Sequence, residues 1–581
     1  MNAFRNCDEN VYISSKYYHP FDIVNNIPRS QLKGAKVTFI NMPIREHAKP
    51  NNPPMGPALL AARLLDYDAD VHIIDLNAYR TQVNLDQQPK ERMLTYTEAT
   101  QLLEVTFNKH GNQDLIALSG LITTLRWQKE IAAIVRKLQP QALLVSGGGL
   151  ATEFRGVLFK WIRELDAIAH SEGDDIIIKI AYDAKIIKDM GINKAVASGK
   201  LAPYFIGMEN GRPRFYYDGG RPHDLDALPF PAWHLLDSDV NGEPILENYI
   251  KIPVWGGLAS NSSAASFTME RSLSMISSRG CPFNCRFCYR GAQGERKYGI
   301  RSAQNVIREM EQNIKRYNLD FIGIIDDNFM VNSKRIKALA VKIQPLLNEM
   351  KFAWGTHGRL DEAADLNQKD NISRIEEMAK SGCIYIGFGG ESASSVVLNE
   401  MGKGGFILQN GEIQINDYTF PVTMVEGIKK TKQAGIHANC TWIMGYPGET
   451  LKDLKTTVAF IKWQEELYTR GLRSGSPEYE KARDSVNKSM FVATAYPGTE
   501  MARHPVVRKK LATTFGIHFD STTKEAIPDD NLFNYVLALD DATKVLEGKG
   551  GILYYGNMDV DQFRIAKEFV ETGNIYKILD M

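Results

Sequence analysis

The sequence predicts an α/β protein with two parallel-sheet domains. An N-terminal doubly wound, Rossmann-like sheet is followed by a partial (β/α)6 TIM-like barrel and a mixed C-terminal tail. Three observations predict this. Short all-apolar runs alternate with helical runs twice along the chain, the pattern of βαβ units whose strands are covered on both faces. A proline-rich stretch separates the two series. Directly after the first strand of the second series, Cys281, Cys285 and Cys288 fall within eight positions, half of the 6 cysteines in 581 residues.

Residues 1–30 are polar and aromatic without periodicity and read as an N-terminal arm. Residues 31–200 form the first domain. Its strands are expected at Val37–Pro43, Val71–Asp75, Leu115–Ser119, Ala142–Ser146 and Ala167–His170, with helices at Gly56–Leu65 and Gln128–Leu138. Ligands of such sheets bind beyond the carboxyl ends of the strands. There the sequence places Asn41-Met-Pro43, Ser119 to Thr124, and Ser146-Gly147-Gly148-Gly149.

Residues 201–270 read as a linker, because five prolines fall between Pro203 and Pro231. Residues 271–500 carry the second series, with strands expected at Ser274–Ser278, Phe321–Asp326, Phe352–Trp354, Ile384–Phe388, Ala438–Gly445 and Met490–Thr494. Val306, Ile307, Met310 and Ile314 mark one helix face, and a second helix is expected to start at Ser333. Residues 501–581 read as a C-terminal domain, with a helix at Asp559–Glu571 covering the barrel mouth.

Composition narrows the class. Hydrophobic residues make up 44% and charged residues 24%, ordinary for a globular protein. Lys plus Arg equals Asp plus Glu, 69 each, so no global field recruits nucleic acid or an anionic membrane. No apolar stretch approaches the ~20 residues of a membrane span. Met1–Asn10 lacks the apolar core of a signal peptide. Sparse, unpaired cysteines fit a reducing cytoplasm, the expected location.

Three thiolates on one short Pro/Asn/Arg loop are a ligand set. Structural zinc takes four ligands, commonly from paired knuckles; here no second knuckle exists and no histidine flanks the loop. The spacing therefore favours a 4Fe–4S cluster, normally held by four cysteines, with one iron left open. Later strand ends carry Asp326-Asp327-Asn-Phe329, Arg359 with His357 nearby, Gly387-Phe-Gly-Gly-Glu391-Ser392, and Gly445-Tyr-Pro-Gly-Glu-Thr450. In βα barrels catalytic residues come from loops after the strands. Capping and turn chemistry would explain several of these residues equally well. Arg359 can bind a carboxylate bidentately or serve as a structural ion pair.

The Cys-x3-Cys-x2-Cys run, with Phe287 before its last cysteine and Tyr289 after it, resembles the signature of the radical S-adenosylmethionine (SAM) superfamily. The resemblance implies that the open iron chelates the amino and carboxylate groups of SAM, whose reductive cleavage yields a 5′-deoxyadenosyl radical. It implies that a carboxylate of Asp326-Asp327 accepts from the SAM ammonium and that Glu391 and Ser392 contact SAM. It also implies that the backbone at Gly445 lies beside the adenine. The first domain resembles the cobalamin-binding domain of one branch, class B methyltransferase-like, with Asn41, Pro43, Ser119, Thr123 and Gly147 to Gly149 at matching places. No Asp-x-His-x-x-Gly occurs, so no histidine from that motif is available to cobalt.

The resemblance thus implies three cofactors: a 4Fe–4S cluster, SAM and cobalamin. The expected activity is methyl transfer to an unactivated carbon or similar centre of a small-molecule or natural-product substrate, with flavodoxin or ferredoxin as electron donor. The alternative is a radical cyclase, ring-rearranging enzyme or oxidoreductase that transfers no methyl group. The arm, residues 404–420 and the tail lie outside the shared core and are the expected substrate determinants.

Overall fold

The computed structural model describes residues 20–44, 52–85, 88–251, 269–289, 298–539, 547–548 and 551–581. Residues 1–19 of the arm and 252–268 of the expected linker lie outside them. The chain falls into two compact units. One is made of the described residues of Met1–Tyr249 and Phe515–Lys544, and the other of those of Ile250–Arg290, Arg296–Thr514 and Val545–Met581. No helix among the described residues is long and apolar enough to cross a membrane.

The first unit holds a seven-stranded sheet. Its strands are β1 (Lys36–Asn41), β2 (Asp70–Asp75), β3 (Leu115–Gly120), β4 (Leu143–Gly148), β5 (Ala167–His170), β6 (Phe205–Glu209) and β7 (Arg212–Asp218). Their spatial order is β2-β1-β3-β4-β5-β7-β6, parallel except for the edge pair β6/β7. The chain reverses its winding between β1 and β3, which creates the crevice where doubly wound sheets bind ligands. Helices Met55–Leu65 and Ile176–Met190 bury Ala61, Leu64, Ile177 and Ile180 against Val37, Phe39, Val145 and Phe215. The strands β6 and β7 lie within the stretch expected as linker. They form because Asn210 and Gly211, both at positive φ, make a two-residue hairpin turn, an Asn-Gly signal outweighed in the sequence by its prolines.

The second unit is a six-stranded, all-parallel half barrel in sequential order. Its strands are β8 (Ser272–Met275), β9 (Phe321–Ile324), β10 (Ala353–Gly358), β11 (Cys383–Glu391), β12 (His437–Met444) and β13 (Met490–Val492). Alternation along the strands sends Ile324, Thr356, Ile386 and Ala438 to one fully buried face. The other face carries Ser274, Gly323, Gly355, Tyr385 and His437 in one row, and His357, Gly387 and Asn439 in the next. Side chains cap the helices: Ser302 caps Ala303–Tyr317, and Thr450 forms a capping box with Asp453 at Leu451–Thr469.

The C-terminal stretch is shared between the units. Helix Asp530–Ala538 belongs to the first, where Phe533 meets Trp161 at 5.4 Å and the Leu537 carbonyl accepts from Arg126. Helix Val560–Glu571 belongs to the second.

Candidate active site

The three cysteines sit on the loop that follows β8, at the carboxyl edge of the half barrel. Three anchors hold this loop. The first is Asp326, at the end of β9 and 2% exposed. It accepts from the Ser277 N–H (2.6 Å) and hydroxyl (2.6 Å) and from the Ser278 N–H (3.0 Å) and hydroxyl (2.5 Å). Arg335 supplies the countercharge at 3.6 Å and also donates to the Ser277 carbonyl at 2.8 Å. A buried carboxylate needs such saturation, because an unpaired one costs several kcal/mol.

The second anchor is Arg286, inside the motif itself. Its N–H donates to the Met401 carbonyl (2.9 Å), its carbonyl accepts from Met501 (2.8 Å), and its guanidinium meets Glu400 and Glu500 at 3.2 Å each. Gly402, at positive φ, lets the loop approach closely: a Cβ there would stand 3.0 Å from the Asn284 carbonyl. Arg359 is the third anchor. Its guanidinium lies over the Phe283 ring at 3.9 Å, pairs with Asp361 at 3.0 Å, and places Nη1 3.9 Å from Cys285 Sγ.

The sequence-expected residues divide by availability. Asp326 is committed to the loop, whereas Asp327 is exposed and close enough to Cys281 and Cys288 to raise their thiols. Glu391 sits at positive φ after an irregularity in β11 and pairs with the buried Lys403 at 3.1 Å. A non-glycine residue held in that region is a mark of functional sites. Ser392 is fully buried, its hydroxyl 3.1 Å from that of Thr457 and accepting from the Ser394 N–H. Gly445 takes φ +77, and a Cβ there would stand 3.0 Å from Phe563 and 3.3 Å from Tyr554; helix Val560–Glu571 thus covers the end of β12. Phe287 meets Tyr446 edge-on at 6.5 Å, and the Tyr289 carbonyl lies 3.9 Å from Cys288 Sγ. His357 is accessible, yet the protein packed around it pushes its imidazole below the ordinary range; its ring lies over the bare backbone of Gly387.

Cys288 lies at the exposed lip of the loop, yet the protein packed around it, then Cys285, Asp327, Cys281 and Glu391, push its thiol up to about 12. Burial also raises Cys281. Such thiols stay protonated until an electropositive centre draws off their protons. Among the described residues no three His, Cys, Asp or Glu side chains are grouped to hold a single metal ion. An iron–sulfur cluster asks for something different, one thiolate on each of several irons. The described cysteines outside the loop, Cys383 and Cys440, are buried in β11 and β12 as small core residues.

At the carboxyl edge of the first unit, Asn41, Ser119 and Gly147 are register partners in one row across β1, β3 and β4. The Asn41 amide donates to Asp75 at 2.8 Å, in a buried network completed by Tyr249 (2.5 Å) and Asn77 (3.1 Å). Pro43 is buried. Gly148 has φ +82, and a Cβ there would stand 2.7 Å from the Gly120 carbonyl, whereas a Cβ at Gly149 would make only ordinary contact with Leu121. Thr123 is 7% exposed and its hydroxyl has no partner. Leu121 beside it is 50% exposed.

The family profile described as "Radical SAM superfamily" matches residues 275–461, which run from the end of β8 through β12 and hold all three cysteines. Residues 275–461 are a radical SAM domain. A protein of Pyrococcus horikoshii named as an uncharacterized methyltransferase is 24% identical over 469 residues, 79% of this chain and 80% of the relative. The anaerobic magnesium-protoporphyrin IX monomethyl ester cyclase of Cereibacter sphaeroides is 22% identical over 391 residues, 64% of this chain and 54% of the cyclase. Among solved structures, the cobalamin-dependent SAM radical enzyme OxsB with aqua-cobalamin and SAM bound superposes with TM-score 0.57 at 16% identity. That match covers 86% of this chain and 64% of OxsB, so this chain spans just under two thirds of the OxsB chain.

A radical SAM enzyme takes a 4Fe–4S cluster and SAM. The donor set fits: three thiols on one anchored loop, with Asp327 and Glu391 in electrostatic reach of Cys288. Sequence reasoning missed Arg286, Lys403, Asp361 and Arg335. Arg286 stands within the motif, but its partners Glu500 and Met501 come from more than 200 residues away; Lys403 reaches back to the Gly389 carbonyl only once its loop folds.

Proposed function

We propose that this chain is a cobalamin-dependent radical SAM methyltransferase, acting on an unactivated carbon or similar centre of a small-molecule substrate and reduced by a flavodoxin- or ferredoxin-type donor. The observation that carries the reading is one chain holding both parts in order: a doubly wound sheet with a ligand edge at its switch point, then a half barrel with a three-thiol loop. The sheet edge fits a bulky cofactor. Gly147 to Gly149 keep the backbone bare at the end of β4, Thr123 offers a buried unpartnered hydroxyl, and Leu121 offers apolar surface. The name of the Pyrococcus horikoshii relative, which covers 79% of the chain, supports methyl transfer.

When bound, the cluster with SAM supplies radical generation and cobalamin supplies methyl carriage. The protein's own part is positioning. Cys281, Cys285 and Cys288 hold the cluster. Asp327 and Glu391 accept hydrogen bonds from the ammonium and ribose hydroxyls of SAM. Ser119, Thr123 and Gly147 to Gly149 back the corrin.

Protein purified without oxygen and reconstituted with iron, sulfide and cobalamin tests this. We expect absorption from both cluster and corrin, and 5′-deoxyadenosine with S-adenosylhomocysteine on turnover with methyl-labelled SAM. Absence of corrin binding removes the cobalamin part. The similarity to the Cereibacter sphaeroides cyclase favours a second reading, radical chemistry without methyl transfer. Deoxyadenosine forming without S-adenosylhomocysteine selects it.

A further inference from the structure

Arg359 directly follows β10 beside the cysteine loop and is 6% exposed. Of its five N–H donors, those on Nε and Nη2 are engaged by Asp361, at 3.0 and 3.2 Å. Nη1 points the other way and stands 3.9 Å from Cys285 Sγ, inside the range of an N–H···S hydrogen bond. The guanidinium plane is fixed over the Phe283 ring at 3.9 Å. Asp361 takes the Nε/Nη2 edge, and the Nη1 that a ligand carboxylate would need on the other edge is turned to Cys285.

We infer that Arg359 is a positioning residue that raises the reduction potential of the cluster by donating to Cys285, and that it does not bind the SAM carboxylate. The inference rests on the cluster assigned above. Reduction adds one electron, from [4Fe–4S]2+ to [4Fe–4S]+, and increases negative charge on the cluster and its thiolates. A donor N–H and a nearby positive charge stabilise the reduced form more than the oxidised one, and hydrogen bonds to the sulfurs are among the terms that set such potentials. Burial strengthens the effect. Asp361 lies on the far side of the guanidinium and partly cancels its charge, so the two residues act with opposite signs.

The test is a potentiometric titration of the reconstituted full-length protein with dithionite, followed by the EPR signal of the reduced cluster. SAM affinity is measured in parallel by equilibrium dialysis. The Arg359→Met/Asp361→Asn double variant leaves no unpaired buried charge; it is expected to shift the midpoint to more negative values while SAM affinity stays at the wild-type level. Asp361→Asn alone is expected to shift it the other way, to more positive values, and Arg359→Lys to fall between wild type and the double variant. Unchanged midpoints in the double variant and in Asp361→Asn overturn the inference. So does loss of SAM binding at an unchanged midpoint, which returns Arg359 to the carboxylate role. If wild-type protein assembles no cluster, the proposed function itself fails, and this inference with it.

Discussion

Lys403 Nζ stands 3.1 Å from Glu391 Oε1, over the bare backbone of Gly389. A Cβ at Gly389 would meet that carboxylate oxygen at 2.4 Å and the ammonium at 2.9 Å. The glycine is therefore the seat of an ion pair between buried Lys403 and half-buried Glu391. Gly389→Ala is expected to displace the pair and weaken SAM binding by about tenfold, or ~1.4 kcal/mol, measured by equilibrium dialysis. Lys403→Met leaves the half-buried Glu391 without its countercharge and is expected to cost ~1–2 kcal/mol in denaturant unfolding. Wild-type stability in Lys403→Met would show the pair to be dispensable.

The adjacent aspartates are expected to separate cleanly. Asp326→Asn loses a carboxylate that accepts four hydrogen bonds and faces Arg335. Removing one partner of such a network costs about 3 kcal/mol or more. Thermal unfolding should report lower stability, and iron analysis a lower cluster content. Asp327→Asn changes an exposed side chain and should keep both fold and iron while weakening SAM binding. Equal iron loss in the two variants would contradict the division.

Glu449 gives a pH dependence. Burial, despite the Gly445 N–H at 2.5 Å, raises its carboxyl to about 8. The folded state thus holds this proton where the unfolded chain, near pH 4.5, has released it. The stability it contributes is fully present below about pH 4.5 and is lost as pH rises toward 8. Relative to Glu449→Gln, the wild-type Tm should fall between about pH 5 and 8. Parallel Tm curves for the two proteins across that window would refute the assignment.

At the sheet edge, Thr123→Val removes a buried hydroxyl that has no partner. The fold should gain about 1 kcal/mol in unfolding experiments, since an unsatisfied buried hydroxyl is costly. Cobalamin retention after gel filtration should drop. Gly148→Val combines φ +82 with a 2.7 Å approach to the Gly120 carbonyl, and should lose at least ~1–2 kcal/mol and cobalamin together. Full cobalamin retention in both variants would remove this edge from the proposed site.

Much of this fold is legible as local pattern. The apolar strands Val37–Asn41 and Phe321–Ile324, the caps at Ser302 and Thr450, and the turn at Gly445 all depend on near neighbours. Strands β6 and β7 had a legible Asn-Gly turn, but the prolines around it argued for a connector. The return of Phe533 to Trp161 was not legible, because nothing local links residues more than 300 positions apart.

The sequence by itself determined the chemistry class, since three cysteines at that spacing form a ligand set wherever the loop lies. It also determined the alternating order that builds two parallel sheets. Only the tertiary structure decided which partners each strand-end residue meets. Asp326 and Asp327 are adjacent carboxylates of one residue type, yet one is saturated by Ser277 and Ser278 while the other faces solvent. Arg359 resembles a carboxylate clamp on paper until Asp361 takes its Nε/Nη2 edge and Nη1 turns to Cys285. The reason is physical: a buried polar group is defined by the partners that pay its desolvation cost, and those partners arrive from distant segments only when the chain folds.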